Sequence, residues 1–205
     1  MRHLFLILFT VFIFADHFSA QENIEYDKIL KTENLKFHDN EIRIYKKYAT
    51  STGLELFRFY EDANEHWKAE LYETIATKNS GGEIKLSVRK SELNSLKNPK
   101  LIWMQILDTD VIHLPKMEQI QYKLSTKNKN YSFEEGEIVS TNTKNYIADG
   151  VSFYVTVKNH KNQNDFNYDN PESYLKYYPD VDELISLKEL LDLIRTEFKV
   201  FEKNN

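Results

Sequence analysis

The chain of 205 residues contains no cysteine, five glycines and four prolines. Each shortage excludes a class of chemistry. Without a thiol there is no disulfide framework, no thiolate nucleophile, no Cys-ligated zinc or iron–sulfur cluster, and no cysteine to carry a lipid. With so few glycines there is no phosphate-cradling loop, and no Gly-x-Ser-x-Gly elbow occurs. The histidines His38, His66, His113 and His160 are dispersed and show none of the paired spacings that bind zinc. A basic stripe is missing too. The formal net charge is −5 and the lysines are scattered among Glu and Asp, which argues against nucleic acid or anionic lipid as a partner.

What is present begins with a leader. Met1-Arg2-His3 makes a short positive start, Leu4 to Ala15 is apolar apart from one Thr, and Ser19-Ala20 closes the segment. This is the pattern of a secretory signal peptide over residues 1–20, with cleavage expected before Gln21, although Phe18 stands where a small residue is usual. The apolar stretch falls well short of the roughly 20 residues that span a bilayer, and no second run follows, so no stable membrane insertion is expected after cleavage. The expectation is an exported protein, periplasmic or secreted, with a single domain over 21–205. Removing the leader takes away Arg2 and Asp16, so the net charge is unchanged. Roughly 185 residues then remain, enough to bury a core without covalent staples.

Residues 21–34 are polar with Ile24, Tyr26, Ile29 and Leu30, a short helix or a tail. From Glu41 to Tyr48, Ile42 and Ile44 alternate with charged or aromatic residues. Thr50 to Gly53 is turn chemistry, and Leu54 to Tyr60 continues as a partner strand. Asp62 to Glu65 turns again into His66 to Ile75, and Ser80-Gly81-Gly82 leads into Ile84, Leu86 and Val88 at period two. Four strands with short polar connections predict an antiparallel meander.

The pattern then becomes helical. Asn98-Pro99 is a helix-start pair before Leu101, Ile102, Met104, Ile106 and Leu107, which predicts a helix over about 98–112 ended by Pro115. Met117 to Leu124 is ambiguous, Ser125 to Asn130 reads as a Lys-rich loop, and Glu137 to Ile147 as a weak strand. Val151 to Val157 is a strong strand after the turn Asp149-Gly150. Asn159 to Asn164 reads as a polar loop before a partner strand over Asp165 to Tyr168. Asn170-Pro171 opens a short aromatic helix that Pro179 stops. Last, Leu184, Leu187, Leu191, Ile194 and Phe198 recur in steps of three and four, predicting a helix over 181–199, with Asp180 and Glu183 at capping-box spacing. The predicted fold is α+β: a twisted antiparallel sheet, an N-terminal four-stranded meander completed by a C-terminal hairpin, packed by two main helices.

Three constellations carry possible chemistry. Asp108-Thr109-Asp110, with His113 close behind, offers two carboxylates and an imidazole that could share a divalent metal; an apolar run before Asp-x-Asp resembles, over three residues, the metal–nucleotide motif of many glycosyltransferases. A polar helix exit explains the same residues. Asp165, Asn167 and Asp169 occupy the first, third and fifth positions of a calcium loop, but Asn170 stands in place of the turn Gly and Lys176 in place of the bidentate Glu. Third, Tyr60, Trp67 and Tyr72 on the meander are candidate ligand-binding residues, since aromatic platforms suit sugars, peptides and apolar ligands. The reading that follows is a non-enzymatic binding or interaction module, with no cofactor, meeting a protein or small ligand outside the cytoplasm. A small carboxylate- or metal-dependent hydrolase of envelope or extracellular polymers is one alternative; an immunity-like inhibitor of a toxin, acting through an acidic face, is another.

Overall fold

A computed structural model describes residues 25–78, 81–124, 129–142, 147 and 150–201. The leader 1–20, Ser80, Asp149 and most of the Lys-rich stretch lie outside them. After a short helix over residues 25–30 (α1) the meander runs as β1 Asn40–Tyr48, β2 Leu54–Glu61, β3 Trp67–Lys78 and β4 Ile84–Leu93. Then come α2 Pro99–Asp108, α3 Met117–Ile120 with a 3-10 turn over Gln121–Lys123, and a hairpin of β5 Lys129–Glu134 and β6 Glu137–Asn142. The chain closes with β7 Val151–Asn159, β8 Asn162–Asp169, α4 Pro171–Tyr177 and α5 Asp182–Phe198. No helix among the described residues is long and apolar enough to cross a membrane.

The fold is α+β, as predicted. The main sheet has the order β4-β3-β2-β1-β7-β8 with every neighbouring pair antiparallel. The C-terminal hairpin joins the meander through β7, which pairs with β1 from Asn40↔Asn159 to Tyr48↔Val151. The first strand of the chain therefore becomes central, and its two apolar residues, Ile42 and Ile44, sit fully buried beside Phe57, Phe59, Val155 and Val157.

Helix α5 lies on this face because its stripe fits nowhere else. Leu184, Leu187, Leu191, Ile194 and Phe198 are buried, with Leu190 added to the set. Phe198 meets Phe57 and Phe59 at ring separations of 5.0 and 5.3 Å. Helix α2 adds Ile102, Trp103 and Ile106, and Trp103 packs on Trp67. After α5, Lys199 takes a left-handed conformation, the Arg195 side chain donates to the Phe201 carbonyl at 3.1 Å, and Val200 and Phe201 are folded back into the core.

Several boundaries differ from the sequence pattern. Helix α2 stops at Asp108, well before Pro115, because the Thr109 hydroxyl donates to the Ile106 carbonyl and Asp110 turns left-handed at φ 59°. Asn98 does cap it, accepting from the Lys100 amide at 2.9 Å. Asp180 forms no capping box: the residue before α5 is Val181, with no side-chain cap. The stretch from Asn159 to Asn164 is no loop, since β7 and β8 pair up to Asn159↔Asn162 across His160-Lys161. Strand β5 takes in Lys129 and Asn130, the end of the stretch read as a loop, and runs on to Glu134, pairing with β6 from Glu134↔Glu137 outward.

Candidate functional site

In a strand successive side chains alternate between faces, so the face away from α2 and α5 receives Glu41, Arg43 and Tyr45 from β1 and Leu56, Arg58 and Tyr60 from β2. These charged positions suggest water. Instead residues 25–38 lie across this face: Leu30 is buried with Tyr45, Leu54, Leu56, Tyr72 and Tyr154, with Tyr26 and Leu35 against them. The Tyr45 hydroxyl donates to the Asp27 carboxylate at 2.8 Å, and the Thr32 hydroxyl donates to the same oxygen at 2.6 Å.

The charges beneath this cover form one network. Arg43 and Arg58 are directly opposite each other in the β1–β2 register, an arrangement that repels until an anion comes between them. Glu41 is that anion. Its Oε1 accepts from Arg43 Nε at 2.6 Å and Arg58 Nε at 2.7 Å, and its Oε2 from the His38 amide at 2.7 Å and Arg58 Nη2 at 3.0 Å. The guanidinium groups also donate outward: Arg43 Nη2 to the carbonyls of Leu35 and Lys36, Arg58 Nη2 to that of Lys36 at 2.7 Å. The side chains of Glu41, Arg43 and Arg58 are 0%, 7% and 4% exposed, so the two arginines fasten the covering segment to the sheet from inside.

Glu70 of β3 extends the network. Its Oε1 accepts from the Tyr60 hydroxyl and Lys90 Nζ, and its Oε2 from the Tyr72 hydroxyl and Arg58 Nη1. Burial alone would raise the Glu70 pKa; the hydrogen bonds from Lys90 and Tyr72 and the charges of Lys90 and Arg58 outweigh it and hold the carboxyl below its usual range. Burial, with Glu70's negative charge beside them, pushes the Tyr60 and Tyr72 hydroxyls up. His38 stacks on Tyr60 at 4.7 Å, and burial lowers its pKa. An ionised carboxylate has about four acceptor positions, and Glu41 and Glu70 each have four donors on them. Neither carboxylate has an acceptor position left over for a metal or a substrate, so both serve cohesion.

The sequence candidates divide accordingly. Tyr60 and Tyr72 come together on Glu70, both buried, whereas Trp67 lies on the opposite face, stacked on Phe59 at 4.9 Å and touching Trp103. The three do not form one platform, because an odd position in β3 faces the helices and an even one does not. Asp108, Asp110 and His113 are all exposed at the end of α2. Among the described residues no three His, Asp or Glu side chains are grouped so as to hold a metal ion. Asp165 instead pairs with Lys116 at 3.4 Å and Asp169 accepts from Ser152. Two clefts of about 280 and 290 Å³, one beside His38 and Asp62, the other beside Asp27 and Arg43, are at the lower limit of small-ligand sites.

What the sequence reading missed is a surface. Tyr131, Phe133 and Ile138 are 68%, 75% and 74% exposed, and Phe133 pairs with Ile138 across the β5–β6 hairpin, so all three share one of its faces. The turn, Glu135 at φ 49° and Gly136 at φ 91°, has the two positive φ angles of a tight hairpin. The signal was the period-two spacing of Tyr131 and Phe133. Comparison with protein families, with curated proteins and with solved structures found no match for this chain.

Proposed function

We propose that the protein is an exported, non-enzymatic interaction module that presents the apolar face of the β5–β6 hairpin to a protein partner outside the cytoplasm. The observation that carries this reading is the exposed trio Tyr131, Phe133 and Ile138. Large apolar side chains clustered on one exposed face of a hairpin are costly to leave in water and typical of binding anchors. The turn adds chemistry: Glu134, Glu135 and Glu137 surround Gly136, so the fitting partner has an apolar pocket with a cationic rim. That acidic turn also favours the narrower reading of an inhibitor capping a basic protein, such as an immunity protein for a toxin. The leader motif in the sequence supports export, and the saturation of Glu41 and Glu70 speaks for binding over hydrolysis.

The test is a photo-crosslinking residue at Phe133 in the native host. A single adduct, lost when Tyr131→Ser and Ile138→Ser are combined with it, is the expected result; no adduct, or the same adducts from a probe at Lys161, refutes the reading. N-terminal sequencing of the mature protein checks export separately, with Gln21 as the expected first residue.

A further inference from the structure

A six-stranded open sheet has two edges, and here they differ. The β8 edge is covered: the Asn164 side chain donates to the carbonyls of Val111 and Leu114, the Tyr168 hydroxyl donates to that of Pro115, and the Asp169 amide lies on the Met117 sulfur. Among the described residues the β4 edge carries no further strand. It is ten residues long, without proline, and pairs with β3 in unbroken register from Ala69↔Leu93 to Lys78↔Ile84. Edges of this kind are templates for another strand unless something blunts them.

The outer half of β4 is also more than an edge. The β2–β3 pairing ends at Glu55↔Glu73, so residues 75–78 of β3 and 84–87 of β4 run on beyond β2 as a two-stranded arm. Ile84 and Leu86 on this arm are 67% and 45% exposed, and with the half-buried Val88 they line one face, continuing the apolar cluster that ends at Tyr72. Lys85, Ser87 and Arg89 are on the other face.

We infer that two copies of this chain dimerise by antiparallel pairing of their β4 arms about a two-fold axis at Leu86. A two-fold axis normal to the sheet keeps each face on its own side, so opposed residues share a parity. Centring on Leu86 sets Leu86 against Leu86 and Ile84 against Val88 on the apolar face; on the other it sets Lys85 against Ser87 and Glu83 against Arg89, each twice, with Arg89 also holding Glu73 of its own chain at 2.9 Å. Centring on Ser87 would oppose Lys85 to Arg89 and Ile84 to Lys90. Centring on Val88 would oppose Leu86 to Lys90. Only the first of the three matches apolar with apolar and opposes opposite charges. It also points each arm past its partner's arm toward the partner's sheet, which leaves the two bodies at opposite ends of a four-stranded bridge.

Sedimentation of the mature chain near 100 µM is expected to give a dimer, and Leu86→Lys, which sets two ammonium groups on the axis, a monomer. E83R alone and R89E alone each oppose like charges twice across the axis and are expected to weaken the dimer about tenfold, R89E also losing the bond to Glu73 of its own chain; mixing the two variants restores opposite pairs across the axis and recovers it. Because the chain has no cysteine, Leu86→Cys provides a second measure. Opposed Cα atoms about 4.5–5.5 Å apart suit a disulfide, so this variant oxidises to a covalent dimer while Ile84→Cys does not. A wild type that stays monomeric, a mixture that fails to recover, or equal crosslinking at Ile84 and Leu86 overturns the assignment.

Discussion

Replacing Glu41 by glutamine keeps the side chain's shape and removes one charge. The amide then has one oxygen where the carboxylate had two, and its NH2 must point at donors whichever way it is flipped: the Nε atoms of Arg43 and Arg58 on one side, the His38 amide and Arg58 Nη2 on the other. Two guanidinium groups with side chains 7% and 4% exposed are left facing each other without their common anion. Removing one partner from a buried ion cluster costs about 3–5 kcal/mol. With a urea dependence of about 2 kcal/mol per molar for a domain of this size, the unfolding midpoint of Glu41→Gln is expected to fall by about 2 M. If the NH2 turns toward the His38 amide, that amide loses its acceptor and its hydrogen exchange should speed up; if it turns the other way, the two Nε donors are the ones left unpaired.

A second variant separates charge from contact. Glu41→Leu with Arg43→Met and Arg58→Met removes all three ions, and with them the penalty of desolvating them, so it is expected to be more stable than Glu41→Gln alone. It does not return to wild type, since the Leu35 and Lys36 carbonyls lose their donors, at about 1–3 kcal/mol for each one left buried and unpaired. A loss below about 1 kcal/mol in Glu41→Gln would mean that water reaches the arginines. A triple variant less stable than the single one would mean that the cluster contributes net stability as well as cohesion.

Other expectations follow from the core, a close contact and titration. Leu191→Ala empties a fully buried position between α5 and the sheet and should cost about 2–5 kcal/mol, lowering the melting temperature by about 10 °C. Gly150→Ala would set a methyl group 1.6 Å from Asn170 Oδ1, the acceptor of the Val151 amide; calorimetry should show a loss of about 2 kcal/mol as that bond opens. Because the Glu70 pKa is held below the usual 4.5, its stabilisation is complete above that value and disappears as pH falls through the lower folded value; Glu70→Gln should flatten the acid limb of stability against pH. His38, with its pKa lowered from 6.5, likewise favours the neutral ring in the folded state, so stability declines as pH falls below 6.5, and an NMR titration should find its midpoint under that value.

The meander and α5 were legible because their signals are local. Ile42 and Ile44, Trp67 and Leu71, and the steps from Leu184 to Phe198 declare period and face within a few residues. The network of Glu41, Arg43 and Arg58 was not legible, because alternating charge on a strand looks the same under water and under a covering segment. Only the position of residues 25–38, set by Leu30 and by Asp27 holding Tyr45, separates the two. The candidates Trp67 and Tyr72 were split by parity, a local property, so that division was available; Glu70, the common partner of Tyr60 and Tyr72, was not, since its setting depends on Arg58 and Lys90 arriving from the strands on either side. In β5, Lys129 and Asn130 adjoin a Lys-rich stretch that resembles a loop, and the aromatic alternation after them was too short to outweigh it.

Where a partner can dock follows from what the sheet has already used. One broad face is filled by α2, α5 and the returning Val200 and Phe201. Over its middle strands the other is covered by residues 25–38, held by donors from Arg43 and Arg58 that are themselves neutralised by Glu41. Displacing that cover would expose an apolar cluster and strand three charges, so it is a poor candidate for a lid over a pocket. The β8 edge is taken up by the segment from Val111 to Met117. Among the described residues, besides the exposed Leu96, Leu101 and Met104 at helix α2 and the single Tyr122 and Tyr177, two strand-built surfaces have unmet apolar area: the β4 arm with Ile84 and Leu86, and the β5–β6 hairpin with Tyr131, Phe133 and Ile138. They differ in the match they demand. The arm, flanked by Glu83 and Arg89, is complementary to itself on the proposed register, whereas the acid at the hairpin's turn disfavours its own copy and suits a basic partner. On the two proposals made above, a second copy is met at one site and a different protein at the other, and variants at either site should abolish one contact and leave the other.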